Sequence, residues 1–449
     1  MRNSRSGRRQ SASGRATRRE FLRNGTIAAT GLALMGSSSG QSVAAGNPPG
    51  NPPDGAQPGA PSNGSGLKLI SPSFETSPQY LATYPASDRA RRLMQQATVI
   101  DTLFSAVYPL QWKSDDQFHP VMRECIAAGI NVLGYCTSAD VASPDPAAVL
   151  AGLKFPLRKI AERPDLYVLV RSVDDIREAK KQGKLGIYFV HQGTNQFGAD
   201  VDNVALMRQL GFGYCLLVYN NSNAVGGGCA DAVDRGLTPF GRRLIQAYNR
   251  YGMVVDVTHT GNRTALDACE VSAQPVIASH SGAKGVFASF RNLSDDLIKA
   301  IAGTGGVCSI FSTGAYVDPS NPAVVGPEIL FKHIDYICQL VGSSKHAGYG
   351  SDWIPDMNKT MELVLSKASA YPDMGMPPGT TKKAISMYGP TPMPARILPA
   401  LVDQMLNHGY SDQDCANVLG ENNLRVFGAV WGGSSRAIVE RQSFQEDWR

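Results

Sequence analysis

The sequence predicts an α/β chain folded as one (β/α)8 TIM-type barrel with extra C-terminal helices, and three observations carry that expectation. From about residue 98, short apolar, β-branched runs alternate with longer amphipathic stretches. Runs that are apolar on both faces, each followed by a helix, are the pattern of a parallel sheet covered by helices. Eight or nine such units fit the length of a single large barrel with loop insertions. Polar residues gather at the C-terminal ends of the runs, the rim on which barrels carry their chemistry. A doubly wound open sheet shares the alternation, because periodicity does not report closure.

Taken in order, residues 1–45 read as an export signal. Thr17, Arg18, Arg19, Glu20, Phe21, Leu22 and Arg23 match the twin-arginine pattern, a mildly apolar stretch runs from Ile27 to Met35, and Val43, Ala44 and Ala45 suit cleavage. The expected partner is the twin-arginine export machinery and the expected location is the periplasm or the cell exterior. Residues 46–67 are dominated by Pro, Gly, Ser and Asn; they cannot bury enough apolar surface to fold and form a linker. Residues 68–449 form the barrel domain.

Within it the expected strands are 98–104, 130–136, 166–171, 185–191, 214–219, 253–259, 275–280, 307–311 and 347–352. Amphipathic helices are expected over Asp200 to Leu210, Gly241 to Arg250 and Leu297 to Ala302, the last with Ser294 as N-cap, acids in its first turn and Gly303 at its end. Residues 353–395 break the rhythm with Pro, Gly and Met and read as a loop excursion at the mouth, with a short helix near Met361 to Ser369. Ile397 to Val430 reads as two or three closing helices.

Charge narrows the function. Eight Arg and a single acid lie in residues 1–45; the remainder holds 35 basic and 37 acidic residues, a net charge of −2. A body without basic excess gives no footing for nucleic acid, and no apolar run reaches the roughly 18 residues that span a bilayer. The eight Cys show no CxxC pair and several sit in apolar runs, as in YCLLVY and GGVCSIF, so buried free thiols are expected over disulfides. The G-x-S-x-G at 36–40 lies in the export segment, and Gly226 to Gly228 lack the Lys and Ser/Thr of a phosphate loop.

The rim supplies the candidate chemistry. His191, Tyr219, His259, His280 and Asp352 each close a predicted strand, so five polar groups converge on one mouth. Imidazoles and a carboxylate suit Zn²⁺, and three His with an open fourth position is a hydrolytic arrangement. His119 and His408 sit in polar contexts and read as surface residues, His333 and Asp335 as a helix face, and His346 as the start of the last strand, at the far end of the barrel.

The blocks GLTPFGRRLIQAYNRYGMVVDVTH (236–259) and PVIASHSGAKGVFASFRNLSDDLIKAIAGTGGV (275–307), then FKHIDYICQLVG, GYGSD and HGYSDQDCANVLGENNLRVF (408–427), resemble the renal or membrane dipeptidase family, peptidase family M19. The resemblance implies a (β/α)8 barrel with a two-zinc centre that cleaves dipeptides. It further implies that His259 and His280 bind the second zinc, that Asp352 binds the first zinc and handles the proton of the attacking water, and that Arg291 receives the substrate carboxylate. Tyr219 falls where many members have a substrate-contacting histidine.

Two features depart from that pattern. The family's first strand carries a DGHxD segment whose His and Asp bind the first zinc; here the segment reads Asp101, Thr102, Leu103, Phe104 and Ser105. The bridging glutamate of a middle strand is replaced by His191, in YFVHQGT. The expectation is therefore one zinc per chain on His191, His259 and His280, with Asp352 as ligand or base. The substrate is a small peptide or amide with its carboxylate at Arg291. Tailoring of a periplasmic peptide metabolite such as a siderophore precursor, or a binding protein that kept the barrel without catalysis, stand as alternatives. A monomer and a homodimer are both compatible with the sequence.

Overall fold

The computed structural model describes residues 84–112, 114–143, 145–318, 325–356 and 391–431. The export signal, the linker, most of the excursion after the last strand and its short helix lie outside the described residues.

Nine strands form at the positions that the apolar runs predict: β1 (Val99–Phe104), β2 (Ile130–Ala139), β3 (Tyr167–Leu169), β4 (Leu185–Gln192), β5 (Phe212–Leu216), β6 (Val254–Asp256), β7 (Val276–Ser281), β8 (Val307–Ile310) and β9 (Ala347–Tyr349). Eight of them run β1-β2-β4-β5-β6-β7-β8-β9 around the sheet, and β3 adds to the start of β4. Every pairing is parallel, and helices such as Asn203–Leu210, Pro239–Tyr251 and Asp295–Gly303 form the return connections. The helix Asp295–Gly303 starts where its sequence says it should, with the Ser294 hydroxyl accepting from Leu297 N.

The ring closes at β1 and β9 through individual bonds instead of a ladder. Asp352 N donates to Leu103 O at 2.9 Å, and Thr102 Oγ1 donates to Tyr349 O at 3.0 Å. The Asp101 carboxylate accepts from Ser351 N at 2.8 Å and from Ser351 Oγ at 2.6 Å. Asp101 is completely buried, and burial lifts its pKa from 3.8 to about 7 against the pull of those bonds.

The barrel interior gathers Ile100, Val132, Tyr188, Val190, Tyr214, Leu216, Val254, Ile277 and Val307 from successive strands. Leu185, Ile187 and Phe189 point the other way, into the layer between strands and helices. The closing helix Asn422–Trp431 seals the floor: Tyr188 meets Phe427 and Trp431 edge-on at 5.5 and 5.3 Å, and Trp431 Nε1 donates to Gly213 O at 3.0 Å. A sealed floor leaves the C-terminal ends of the strands as the open mouth. Among the described residues, no helix is long and apolar enough to cross a membrane. All eight cysteines are free, seven of them buried and Cys229 partly so.

Candidate active site at the barrel mouth

Backbone conformation marks the mouth before any side chain is considered. Among the described residues, the non-glycine positions with left-handed backbone are Asn220, His259 and Asp352, at φ of 60, 62 and 50°. Such conformations cost free energy and persist where surrounding contacts hold them, commonly at functional sites. All three follow barrel strands, and two carry expected site residues.

His259 and His280 meet directly, with their Nε2 atoms 3.1 Å apart. His259 Nδ1 lies 2.6 Å from Asn220 Oδ1, Arg291 Nη2 lies 3.0 Å from His259 Nε2, and Ser279 Oγ lies 2.8 Å from His280 Nδ1. One proton assignment satisfies this set. His259 donates from Nδ1 to Asn220, and its Nε2 accepts from both Arg291 and the Nε2–H of His280, while His280 Nδ1 accepts from Ser279. Burial, and then the neighbouring guanidinium, hold both imidazoles well below the ordinary histidine pKa, so both are neutral at pH 7. The Tyr219 ring stacks on His259 at a centroid distance of 4.4 Å.

Arg291 is 4% exposed. Its guanidinium lies over the rings of Phe311 and Tyr316, at 5.4 and 5.8 Å from their centroids, a placement suited to a planar cation. Its Nη1 is buried without a hydrogen-bond partner. Asp352, partly open at the mouth, accepts from Thr313 Oγ1 at 3.2 Å. Burial raises its pKa to about 6, opposed by Arg291 and by hydrogen bonds from Thr313 and Ser105. A cavity of about 280 Å³ opens beside His259 and Arg291, with Cys229, Ser281 and Lys284 also in its wall.

The structure does not assemble the expected three-histidine centre. Along β4, Tyr188 and Val190 face the barrel interior and Leu185, Ile187 and Phe189 face outward; alternation sends His191 outward too. Its Nε2 lies 3.0 Å from Asp140 Oδ1, a carboxylate that also accepts from Thr194 N and Asn195 N at 3.0 and 3.1 Å. The residue that β4 turns to the mouth is Gln192, whose amide lies 3.4 Å from Cys136 Sγ. Strand parity applied to YFVHQGT was the signal that could have found it. Among the described residues, no group of three or more His, Cys, Asp or Glu side chains is placed to hold a metal ion.

The first-strand positions keep their place while lacking ligand chemistry. Leu103 is fully buried in the apolar interior, and Ser105 reaches Asp352. Of the other histidines, His408 is exposed and His119 is half-buried against Tyr167 and Glu162. His333 is buried in the helix Pro327–Val341, where its ring ties Ala283 N to Val317 O, a structural role in keeping with the expected helix face. His346 Nδ1 bonds Gly306 O at the floor end of β9.

The two imidazoles are spaced as a pair of ligands to one ion would be, and among the described residues no third His, Cys, Asp or Glu side chain joins them. Two nitrogens at ~2.0–2.1 Å from a tetrahedral Zn²⁺ are roughly 3.4 Å apart, close to the 3.1 Å between the histidines. Leu103, Ser105 and Gln192 offer neither an imidazole nor a carboxylate to an ion at the mouth.

Comparison with known proteins agrees with this architecture. The family model described as membrane dipeptidase (peptidase family M19) matches residues 87–375. An uncharacterized dipeptidase of Schizosaccharomyces pombe is 32% identical over 185 residues, 41% of this chain and 44% of the relative, so the match spans less than half of that protein. Among solved structures, an amidohydrolase from Pseudomonas aeruginosa is 26% identical with a TM-score of 0.61, over 76% of this chain and 99% of that one. A metallo peptidase from Rhodobacter sphaeroides, liganded with a phosphinate mimic of the dipeptide L-Ala-D-Ala, shares the fold at 20% identity and a TM-score of 0.59, over 75% of this chain and 99% of that one.

Proposed function

The chain belongs to the membrane dipeptidase family, peptidase family M19, and on that premise we propose that it is an exported metal-dependent hydrolase of a dipeptide or small amide. The observation that carries the reading is a buried guanidinium with a free Nη1, set against two convergent neutral imidazoles at the mouth of the barrel.

Each residue then has a task its surroundings suit. Arg291 seats the substrate carboxylate, since its planar fork is held over two rings and has a donor to spare. Asp352, at about 6, is mostly ionised at pH 7 and is close enough to neutral pH to accept a proton from an attacking water and return it to the leaving amine. Tyr219, stacked on His259, forms one side of the cleft. His259 and His280 would hold one zinc ion through their Nε2 atoms, which would supply Lewis acidity toward the scissile carbonyl. Arg291 Nη2 must then give up its bond to His259 Nε2, a move that a bound carboxylate favours by offering the guanidinium a charged acceptor, and His280 must carry its proton on Nδ1, donating to Ser279 Oγ, so that its Nε2 is free. With ligands for one ion only, the clamp that a second cation provides is missing, and slower peptide cleavage or tailoring of a peptide metabolite follows.

Metal analysis of the purified mature protein with a dipeptide screen tests the reading. About one zinc per chain is expected, lost in His259→Ala and His280→Ala because each removes one of two imidazole donors, together with cleavage of dipeptides and not of their C-terminal amides. Protein that binds no metal and cleaves nothing is a binding protein on the same barrel.

A further inference from the structure

His259 and His280 differ in what holds their second ring nitrogen. His259 Nδ1 faces Asn220 Oδ1 at 2.6 Å, and the same oxygen accepts from the Cys229 thiol at 3.5 Å. An amide oxygen only accepts, so His259 keeps its proton on Nδ1 and its Nε2 is bare. His280 Nδ1 faces the hydroxyl of Ser279 at 2.8 Å. A hydroxyl both donates and accepts, so His280 has a partner for either of its neutral tautomers.

That freedom requires a second place for the Ser279 proton, and the barrel interior provides one. Ser279 Oγ lies 3.3 Å from Thr258 Oγ1. The Thr258 hydroxyl spends its own proton on Asp256 Oδ1 at 2.8 Å, an oxygen that also accepts from Thr258 N at 2.9 Å and from Ser279 N at 3.2 Å. A lone pair of Thr258 Oγ1 is thereby left to Ser279, and the Asp256 carboxyl is a further acceptor for the same hydroxyl. Asp256, Thr258, Ser279 and His280 are all completely buried, so bulk water supplies no partner at this end of the ring.

We infer that Ser279 is a positioning residue whose hydroxyl, by turning between His280 and the Thr258–Asp256 pair, lets His280 exchange tautomers and so opens the two imidazoles to a divalent cation. In one arrangement Ser279 donates to His280 Nδ1, and the His280 Nε2 proton bridges to His259. In the other the hydroxyl donates to Thr258 or Asp256 and accepts from His280 Nδ1–H, which leaves both Nε2 atoms bare, as a cation needs. One proton leaves Nε2 and one is taken up at Nδ1 through water at the mouth. His280 is neutral in both arrangements, and Ser279 keeps its own proton. The inference deepens the reading of His259 and His280 as ligands of one ion and rests on it.

Protein carrying isotope-labelled histidine reports the tautomer of each ring in proton–nitrogen correlation spectra, with no turnover involved. His280, identified by the signal missing from His280→Ala, should pass from the Nε2–H to the Nδ1–H form when zinc alone is added to the mature protein. In Ser279→Ala an Nδ1 proton would be buried without an acceptor. His280 should therefore hold the Nε2–H form before zinc is added, and zinc affinity should fall roughly tenfold to a hundredfold, the usual loss for the outer partner of a ligating histidine. Unchanged affinity in Ser279→Ala, or an Nε2–H form that persists in the zinc-bound native protein, overturns the inference. Should the native protein bind no zinc, the reading of the two rings as ligands falls, and metal-free His259→Leu decides the tautomer exchange separately. With the acceptor of its Nε2 proton removed, His280 should there adopt the Nδ1–H form, and should fail to do so when Ser279→Ala is added. An Nε2–H form in the single variant, or an Nδ1–H form in the double, overturns it.

Discussion

Replacing Asp101 with Asn should flatten the dependence of stability on pH. The Asp101 carboxyl closes the β1–β9 seam from a fully buried position, and its pKa is about 7 in the folded chain against the ordinary 3.8. A raised carboxyl pKa means that the folded state binds the proton more tightly than the unfolded state. The contribution is thus fully present below pH 4 and is lost as pH rises through 7. The gap between 3.8 and about 7, at about 1.36 kcal/mol per pKa unit, bounds the loss at about 4 kcal/mol. Asparagine keeps the shape and carries no charge. Its Oδ1 can still accept from Ser351 N and Leu103 N, as Asp101 Oδ1 does at 2.8 and 3.2 Å. Its Nδ2 can donate to Ser351 Oγ, whose proton has a second acceptor in Leu103 O at 3.2 Å. Urea unfolding from pH 4 to pH 8 at fixed ionic strength should show the variant close to wild type at pH 4 and more stable at pH 8. Asp352, raised to about 6, leaves a weaker slope of the same sign in both proteins. Parallel curves, or a variant that loses stability at every pH, would mean that the seam depends on an ionised Asp101 and that burial does not dominate its titration.

Two further predictions follow from the geometry and the sequence. Because β4 turns Gln192 and not His191 to the mouth, the triple variant Leu103→His, Ser105→Asp, Gln192→Glu should raise zinc content toward a second ion, measured by metal analysis, whereas His191→Glu in place of Gln192→Glu should not. Changing Arg18 and Arg19 to Lys should leave the precursor in the cytoplasm, read by fractionation; unaltered export would remove the twin-arginine reading.

The strands were legible because parallel barrel strands are apolar on both faces, and all nine apolar runs became strands. The site was legible where it depended on place in the chain: His259, His280, Arg291 and Asp352 fall at strand ends or in a recognisable block, and three of them contact or electrostatically influence one another through Arg291. It was illegible where it depended on which way a side chain turns. Simple alternation along β7, with Val276 and Ala278 outward and Ile277 inward, would send His280 away from His259. A register irregularity between Ala278 and Ser281 brings them together. On β4 the register shifts put the extra residue on the neighbouring strands, at Thr137 of β2 and Gly213 of β5, so alternation along β4 itself holds and His191 is lost to the mouth. The Asp101–Ser351 bond joins positions 250 residues apart, and no local pattern announces it.

The same contacts explain why His259 and His280 are held firmly in place while positions 103, 105 and 192 are not. His259 and His280 are tied to Asn220, Ser279 and Arg291, so removing either ring leaves several buried partners unpaired, a penalty paid whether or not an ion is bound. Positions 103, 105 and 192 have no such hold. Leu103 adds apolar surface to an interior already lined by Ile100, Val132 and Ile277, Ser105 remains a donor to Asp352, and Gln192 finds Cys136. A barrel with these three residues therefore closes with its mouth packed and without a further buried carboxylate to neutralise. Asp352 is left with Arg291 as the cation that opposes its burial. The chemistry that remains open to the site is that of one guanidinium, two neutral imidazoles and one carboxyl near neutral pH, which is enough to bind an anionic peptide end and to move a proton beside it.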